Sequence, residues 1–339
     1  MKSNIILSLL LVFALSAATV SAKSPIYGRI KVKGTKLYSQ NGRQVQLKGI
    51  ATHGIHWNYN FYKDGKAIDA AISDWGANLV RITNYLYEGG YIEEKVKSKE
   101  DLDDLIDSIV KLCIKKRVYC IIDWHVHKPG DPAVYLEDAK VFFNKMAKKY
   151  GRYPNVLFEI CNEPNPGGYG DVKGHYVTWA EIKDYAAEII PIIRKFSNNI
   201  IIVGTPSYSS LGLSHNEDWR VIAKDPIKED NIVYAIHFYA SGHGFYKKVE
   251  EASKKLPLFA SEWAVGTWEP QGENNLDKAK PWLEFLKKNK ISWAYWSYSP
   301  GEGNLCTFKP GVTSTDDLSP TGKNVNGTGK ILYNLLQEK

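Results

Sequence analysis

The sequence predicts an α/β protein, a (β/α)8 TIM barrel with an N-terminal β-hairpin. Three observations lead there. Eight short runs rich in β-branched residues alternate with amphipathic helical patterns along the 339-residue chain, and such alternation implies a parallel sheet. Eight strand–helix units are the number that closes a parallel sheet into a barrel, and the length suits one such domain. A doubly wound open sheet would want a Gly-rich phosphate loop after an early strand, and none is present.

Residues 1–22 (MKSNIILSLLLVFALSAATVSA) place Lys2 before an apolar run and end on Val20-Ser21-Ala22. This is the layout of a cleaved secretory signal, shorter in its apolar part than the ~20 residues of a spanning helix. The expectation is a secreted, extracellular chain from Lys23, a single domain over 23–339 with no membrane attachment in its mature form. Residues 27–45 (YGRIKVKGTKLYSQNGRQV) alternate in polarity and carry Asn41-Gly42 between two strand-like runs. Asn-Gly is a strong hairpin signal, and the segment reads as a lid on the barrel floor.

The eight barrel strands are then read at 45–50, 78–82, 118–123, 156–160, 200–204, 232–238, 258–262 and 292–297. Helices with apolar residues at three- and four-residue steps are clearest at 101–116, 137–151, 181–197 and 277–289, each able to cover a sheet face, and a last helix is expected over 329–337.

The net charge of +7 is spread over Lys-rich helices such as KKVEEASKK, which reads as solvated helical surface. Nucleic acid as a partner would want a basic stripe with interleaved aromatics, and none is evident. No helix face is left apolar and spare, so a monomer is expected. The four cysteines, Cys113, Cys120, Cys161 and Cys306, allow three full pairings, and the sequence does not choose among them. Cys113 and Cys120 flank a helix-to-strand turn and could meet, whereas Cys161 reads equally as a buried thiol. Asn326-Gly-Thr is a glycosylation sequon, usable only in a eukaryotic secretory pathway.

In such barrels the active site lies at the carboxyl ends of the strands. Those ends are polar here: Thr52-His53, Arg81, Asp123-Trp124-His125, Asn162-Glu163, His237-Phe238-Tyr239, Glu262 and Trp296. Glu163 (FEICNEPN) and Glu262 (FASEWA) each end an apolar strand, on the fourth and seventh strands of the barrel. A strand-end Glu also serves to pair a Lys or cap a helix. Two of them converging on one cleft instead suit glycoside hydrolysis, which needs one carboxylic acid for the leaving oxygen and a second carboxylate beyond the anomeric carbon. Asn162 offers an amide to a sugar 2-hydroxyl, Arg81 and Tyr239 would keep Glu262 ionised, His237 would touch Glu163, and His125 a sugar hydroxyl. Trp57 and Trp296 offer flat faces for glucose rings, though a barrel Trp is as often core. Asp123, His125 and His127 look like a metal-ligand cluster. A zinc hydrolase needs a third ligand and an open water position, and the glutamate pair gives a complete mechanism without metal or cofactor.

With these residues in hand, the chain resembles glycoside hydrolase family 5, the endoglucanase family of clan A barrels, across essentially all of 23–339. The resemblance rests on HGIHW (53–57), RIT (81–83), IIDWH (121–125), NEP (162–164), HFY (237–239), SEW (261–263) and Trp296 in order on successive strands. It implies a retaining endo-β-1,4-glucanase with Glu163 as acid/base and Glu262 as nucleophile. It implies support from Arg81, His125, Asn162, His237, Tyr239 and Trp296, and substrate contacts from His53, Trp57 and Tyr85. The first motif and GTPSYS (204–209) look closest to a bacterial and plant-parasite cellulase subgroup. Two departures stand out: Tyr208 occupies a place where those relatives commonly show Trp, and SYSPGEG (297–303) lacks the Lys they tend to carry after the last-strand Trp. The rivals are mannanase, xyloglucanase and mixed-linkage glucanase, which similar barrels perform, and, from another class, a carbohydrate-binding protein without catalysis.

Overall fold

The computed structural model describes residues 24–269 and 271–338; the signal segment read at 1–22 lies outside them. Ten strands form. β1 (Lys31–Lys33) and β2 (Lys36–Tyr38) make a small antiparallel sheet, and β3 (Lys48–Ala51), β4 (Leu79–Tyr85), β5 (Tyr119–His125), β6 (Val156–Glu159), β7 (Ile201–Val203), β8 (Ile232–Tyr239), β9 (Leu258–Ala264) and β10 (Trp293–Tyr295) close into a parallel barrel. Each barrel strand falls on one of the eight runs read from the sequence. After successive barrel strands come α1 (Lys66–Ser73), α2 (Lys99–Lys116), α3 (Leu136–Tyr150), α4 (Trp179–Arg194), α5 (Arg220–Lys224), α6 (Tyr246–Ala252), α7 (Leu276–Asn289) and α8 (Gly327–Gln337). Among the described residues no helix is long and apolar enough to cross a membrane.

The helices form where sequence and caps agree. In α2 the Ser98 side chain accepts from Asp101 N, Glu100 and Asp101 occupy the first turn, and Lys115 and Lys116 the last, so charge matches the helix dipole at both ends. Its buried face is Leu102, Leu105, Ile106, Ile109, Val110 and Cys113, each apolar side chain contributing roughly 1.5–3 kcal/mol by leaving water. Helix α4 starts on a capping box, with Thr178 bonding Glu181 N and the Glu181 carboxylate returning to Thr178 N.

All seven residues of β4, β5 and β9 are buried, as expected for strands covered by helices on one face and by the barrel interior on the other. Yet β4 carries Arg81, and β5 carries Asp123 and His125. A buried polar group without a partner is costly, so these side chains must find one another across the barrel.

The N-terminal segment departs from its sequence reading. The turn joining β1 to β2 is at Gly34, whose φ of 58° is left-handed. Asn41-Gly42 does turn, closed by Ser39 N donating to Arg43 O, but leads only to an isolated bridge between Tyr38 and Gln44. The reason is that Val45 and Leu47 are buried and committed to the barrel, so the chain leaves before a ladder can grow. The lid itself sits as expected: Lys36 Nζ donates to Asn289 O and Val32 N donates to Asn231 Oδ1, the acceptors lying just before strands β10 and β8. All four cysteines are free thiols, with Cys113, Cys120 and Cys161 buried. Asn326 of the sequon is the N-cap of α8, accepting from Gly329 N.

Removing the α4 cap tests this account. Thr178→Ala should lower stability by about 1 kcal/mol, read as a lower urea midpoint with an unchanged denaturant slope; an unchanged midpoint would mean that packing alone fixes the helix start.

Candidate active site

The polar strand ends converge on Arg81, which is fully buried. Its Nε donates to Glu159 Oε2 at 2.7 Å, Nη1 to Glu262 Oε2 at 2.8 Å and Nη2 to Asn162 Oδ1 at 2.6 Å, with Asp123 Oδ2 3.1 Å from Nη2. Burial alone would lower the guanidinium pKa; Asp123, Glu159 and Glu262 outweigh that and raise it. One cation thus holds side chains from β5, β6, β9 and the loop after β6.

The two candidate carboxylates face each other. An oxygen of Glu163, an oxygen of Glu262 and a nitrogen of His237 all lie within 4.8 Å of one another. Glu262 is almost fully buried, and both its oxygens accept: Oε2 from Arg81 and Oε1 from the Tyr239 hydroxyl at 2.8 Å. Burial first, and then the charge of Glu163, hold its pKa above the ordinary range, against the pull of His237, Arg81 and Tyr239. The expectation that Arg81, helped by Tyr239, lowers this carboxylate's pKa is therefore corrected. Desolvation and a like charge win.

Glu163 is half-buried and meets His237 Nδ1 at 2.9 Å, while the other ring nitrogen lies 2.9 Å from Ser261 Oγ, which donates to Glu159 Oε1 at 2.6 Å. Burial disfavours the His237 cation, but the Glu159 carboxylate 3.7 Å from Nε2 and the hydrogen bond to Glu163 override it and lift the pKa to about 9. Glu159 is pushed down to about 2 despite its burial, chiefly by Arg81 and His237. Asp123 goes the other way, its pKa raised well above normal by burial and by the charges of Glu159 and Glu262.

His125 Nδ1 lies 2.6 Å from Asp123 Oδ2, with Nε2 3.3 Å from Asn162 Nδ2. Burial depresses its pKa well below normal, so the ring is neutral, and an Nδ1–H toward Asp123 leaves Nε2 to accept. The Asn162 amide is fully buried, with Nδ2 also donating to Val126 O at 2.9 Å. The metal-like trio of Asp123, His125 and His127 does not assemble as one cluster, because His127 Nδ1 turns to Glu88 Oε2 at 2.7 Å. Among the described residues the group whose ligand atoms do converge is Glu163, His237 and Glu262. At neutral pH His237 carries a proton on the nitrogen facing Glu163, which makes it a poor metal ligand.

Aromatic rings line one side of the mouth. Tyr85 lies 4.7 Å from the Trp57 ring and 4.1 Å from that of His125, and His53 sits 5.4 Å from Trp57 and 5.2 Å from Trp296. Burial lowers the His53 pKa to about 4. Trp57 is exposed, whereas Trp296 is buried and parallel to His125, with ring centroids 5.9 Å apart. Tyr208 is exposed on a loop where Ser207, Tyr208 and Ser209 all take left-handed φ, a conformation that costs energy and persists only when neighbours enforce it. They do: Tyr208 N donates to Pro164 O at 3.0 Å and Ser209 Oγ donates to Asn162 O. A Cβ on Gly204 would meet Cys161 O at 2.8 Å and Asn162 O at 2.9 Å, so only glycine lets this loop lie against the segment bearing Glu163.

All twelve residues singled out from the sequence thus lie at the carboxyl end of the barrel. Sequence reasoning passed over Glu159 and Ser261, which complete the chain between Arg81 and His237. Their signal was available: Glu159 stands between Phe158 and Ile160 inside an apolar strand, where a carboxylate demands a buried partner.

A closed parallel barrel with two facing glutamates at its mouth, one clamped by Arg and Tyr and one by His, has the layout of a barrel hydrolase that works with paired carboxylates. The chain belongs to glycosyl hydrolase family 5, whose Cellulase model matches residues 38–302. It is 35% identical to Endoglucanase E-5 of Thermobifida fusca, over 92% of this chain and 64% of that one, and 36% identical to an endoglucanase of Clostridium saccharobutylicum, over 89% of this chain and 65% of that one. The chain therefore spans just under two thirds of the length of these relatives. The solved catalytic domain of the Thermobifida fusca enzyme superposes with a TM-score of 0.84, covering 92% of this chain and 98% of that domain, and a variant of it has been solved in complex with cellotetraose.

The raised His237 pKa has a consequence for stability. The extra proton held by the folded state stabilises it fully below the unfolded value of about 6.5, and the contribution is lost as pH rises through about 9. Wild type should lose stability between pH 6.5 and 9 by urea denaturation, and His237→Gln should remove that slope. Parallel pH profiles for the two proteins would contradict the assignment.

Proposed function

We propose that this chain is an endo-β-1,4-glucanase that hydrolyses internal bonds of cellulose and related β-glucans with retention of configuration. The observation that carries it is the pair itself: oxygens of Glu163 and Glu262 within 4.8 Å, the short spacing of retaining enzymes, whose carboxyl groups stand ~5–5.5 Å apart, where inverting enzymes leave ~6.5–9.5 Å for a water.

Two carboxyl groups this close do not both ionise easily, so they share a proton. Both oxygens of Glu262 already accept strong hydrogen bonds, from Arg81 and Tyr239, while Glu163 receives one, from His237. The retaining reaction starts with the proton on Glu163 and the charge on Glu262. Glu262 attacks the anomeric carbon as Glu163 gives its proton to the departing glycosidic oxygen, leaving a glucosyl ester on Glu262. Glu163, now a carboxylate, takes a proton from water, which displaces Glu262 and completes the second inversion.

Supporting residues follow from their contacts. His237 and Tyr239 orient the two carboxylates, and Arg81 fixes Glu262 against the rest of the network. Of the two Asn162 amide hydrogens, the one on the 3.3 Å contact to His125 is the weaker bonded and is free to move to a sugar 2-hydroxyl as charge develops. His125, His53, Tyr85, Trp57 and Trp296 form the wall for the sugar under attack, and Tyr208 lies by Glu163 for the leaving side. The signal-like segment over 1–22 and the polysaccharide substrate support export to the cell exterior; the protein acts as a monomer with no cofactor.

Reducing-sugar release from carboxymethyl cellulose checks the pair. Glu163→Gln should lose about 10²- to 10⁴-fold and Glu262→Gln at least as much, and proton NMR of early product from wild type should show the β-anomer. Early α-anomer would overturn the retaining mechanism, and an inactive wild type on cellulose, mannan, xyloglucan and barley glucan would favour binding without catalysis.

A further inference from the structure

Among the described residues, three tryptophan or tyrosine side chains stand exposed: Trp57 at 43%, Tyr208 at 38% and Trp268 at 54%. The first two are at the site above. Trp268, in the loop after β9, also lies at the carboxyl end of the barrel, and neither the sequence motifs nor the mechanism uses it.

Its indole is held in place. One face stacks on His243, with centroids 5.1 Å apart and planes at 22°. Its edge lies on Gly242, where a Cβ would come within 2.5 Å of the ring, so the absence of a side chain there is what lets the indole settle. His243 is fixed in turn: its Nδ1 accepts from Tyr239 N at 3.1 Å, and its carbonyl accepts from Trp282 Nε1 at 3.0 Å. Trp268 is thus two contacts from the backbone of Tyr239, whose hydroxyl holds Glu262. A large apolar ring braced on one face and left open on the other is preorganised to receive a flat apolar surface, and the C–H face of a pyranose is one.

The order of strands tells which sugar it would receive. Trp57 and Trp296 follow β3 and β10, and Tyr85 and His125 end β4 and β5, one contiguous arc of the closed barrel; Tyr208, His243 and Trp268 follow β7, β8 and β9, the opposite arc. Glu163 leans toward this second arc through His237 of β8. The proton it delivers goes to the oxygen that leaves, so the departing glucan lies on the side of Tyr208 and Trp268. We propose that Trp268 is a stacking platform for the glucosyl units of the leaving chain, joining Tyr208 in setting the enzyme's dependence on substrate length. This rests on the endoglucanase reading above.

The test compares a substrate that occupies the second arc with one that does not. Wild type, Trp268→Ala and Trp268→Phe, as the purified full chain, are assayed on cellopentaose and on p-nitrophenyl β-cellobioside, whose aryl group leaves without a sugar on that side. Trp268→Ala should lower kcat/KM on cellopentaose by about 5- to 10-fold and leave the aryl cellobioside within about 2-fold; Trp268→Phe should recover most of the loss. Unchanged cleavage of cellopentaose, or equal losses on both substrates, would overturn the role of Trp268. Wild type inactive on both substrates would overturn the hydrolase reading itself, a result separable from either of those.

Discussion

Everything at the mouth of this barrel depends on the burial of one guanidinium. Removing an ion from water costs several kcal/mol unless it is fully paired, and Arg81 is paired on every nitrogen, with Glu159, Glu262, Asn162 and Asp123. Three carboxylates around one cation leave excess negative charge. The protein relieves it at two places, through a His237 that stays protonated to about pH 9 and an Asp123 whose pKa is driven well up. The protonation states at the site are therefore a collective property of six side chains, and no one of them could be exchanged without resetting the others.

That constraint also explains why the polar residues sit on long strands. β4, β5, β8 and β9 extend to seven or eight residues, whereas β3, β6, β7 and β10 have three or four. The longer strands carry Arg81, His125, His237, Tyr239 and Glu262, each on backbone paired in register with at least one neighbouring strand. Rigid placement matters because electrostatic stabilisation is strongest when donors need not reorganise during reaction. Glu163, by contrast, lies beyond β6 on a loop and is the less buried of the two carboxylates.

The barrel was legible because period and composition agree: every run of β-branched residues became a strand, and the α2, α3, α4, α7 and α8 patterns became helices within a few residues. The hairpin was half legible. Asn41-Gly42 is a good turn, but which runs pair is decided by Val45 and Leu47 being drawn into the barrel, a tertiary demand that local chemistry does not express. At the site, residues at strand ends could be read directly, since their position relative to the sheet follows from the strand alone. Partners could not. Arg81 was matched with Glu262 and not with Glu159, because which strand interiors face each other depends on barrel register. Trp268 was invisible for a related reason: a loop ring gains meaning only from Gly242 and His243 beneath it.

The stitching of the Tyr208 loop to the segment after β6 ties two functions into one body. Tyr208 bonds Pro164, Ser209 bonds Asn162, and Gly204 lies against Cys161 and Asn162. Through these contacts a displacement of one segment presses directly on the other. The distance between the Tyr208 ring and the Glu163 carboxyl group is thereby set by contacts between the two segments and not by either loop alone.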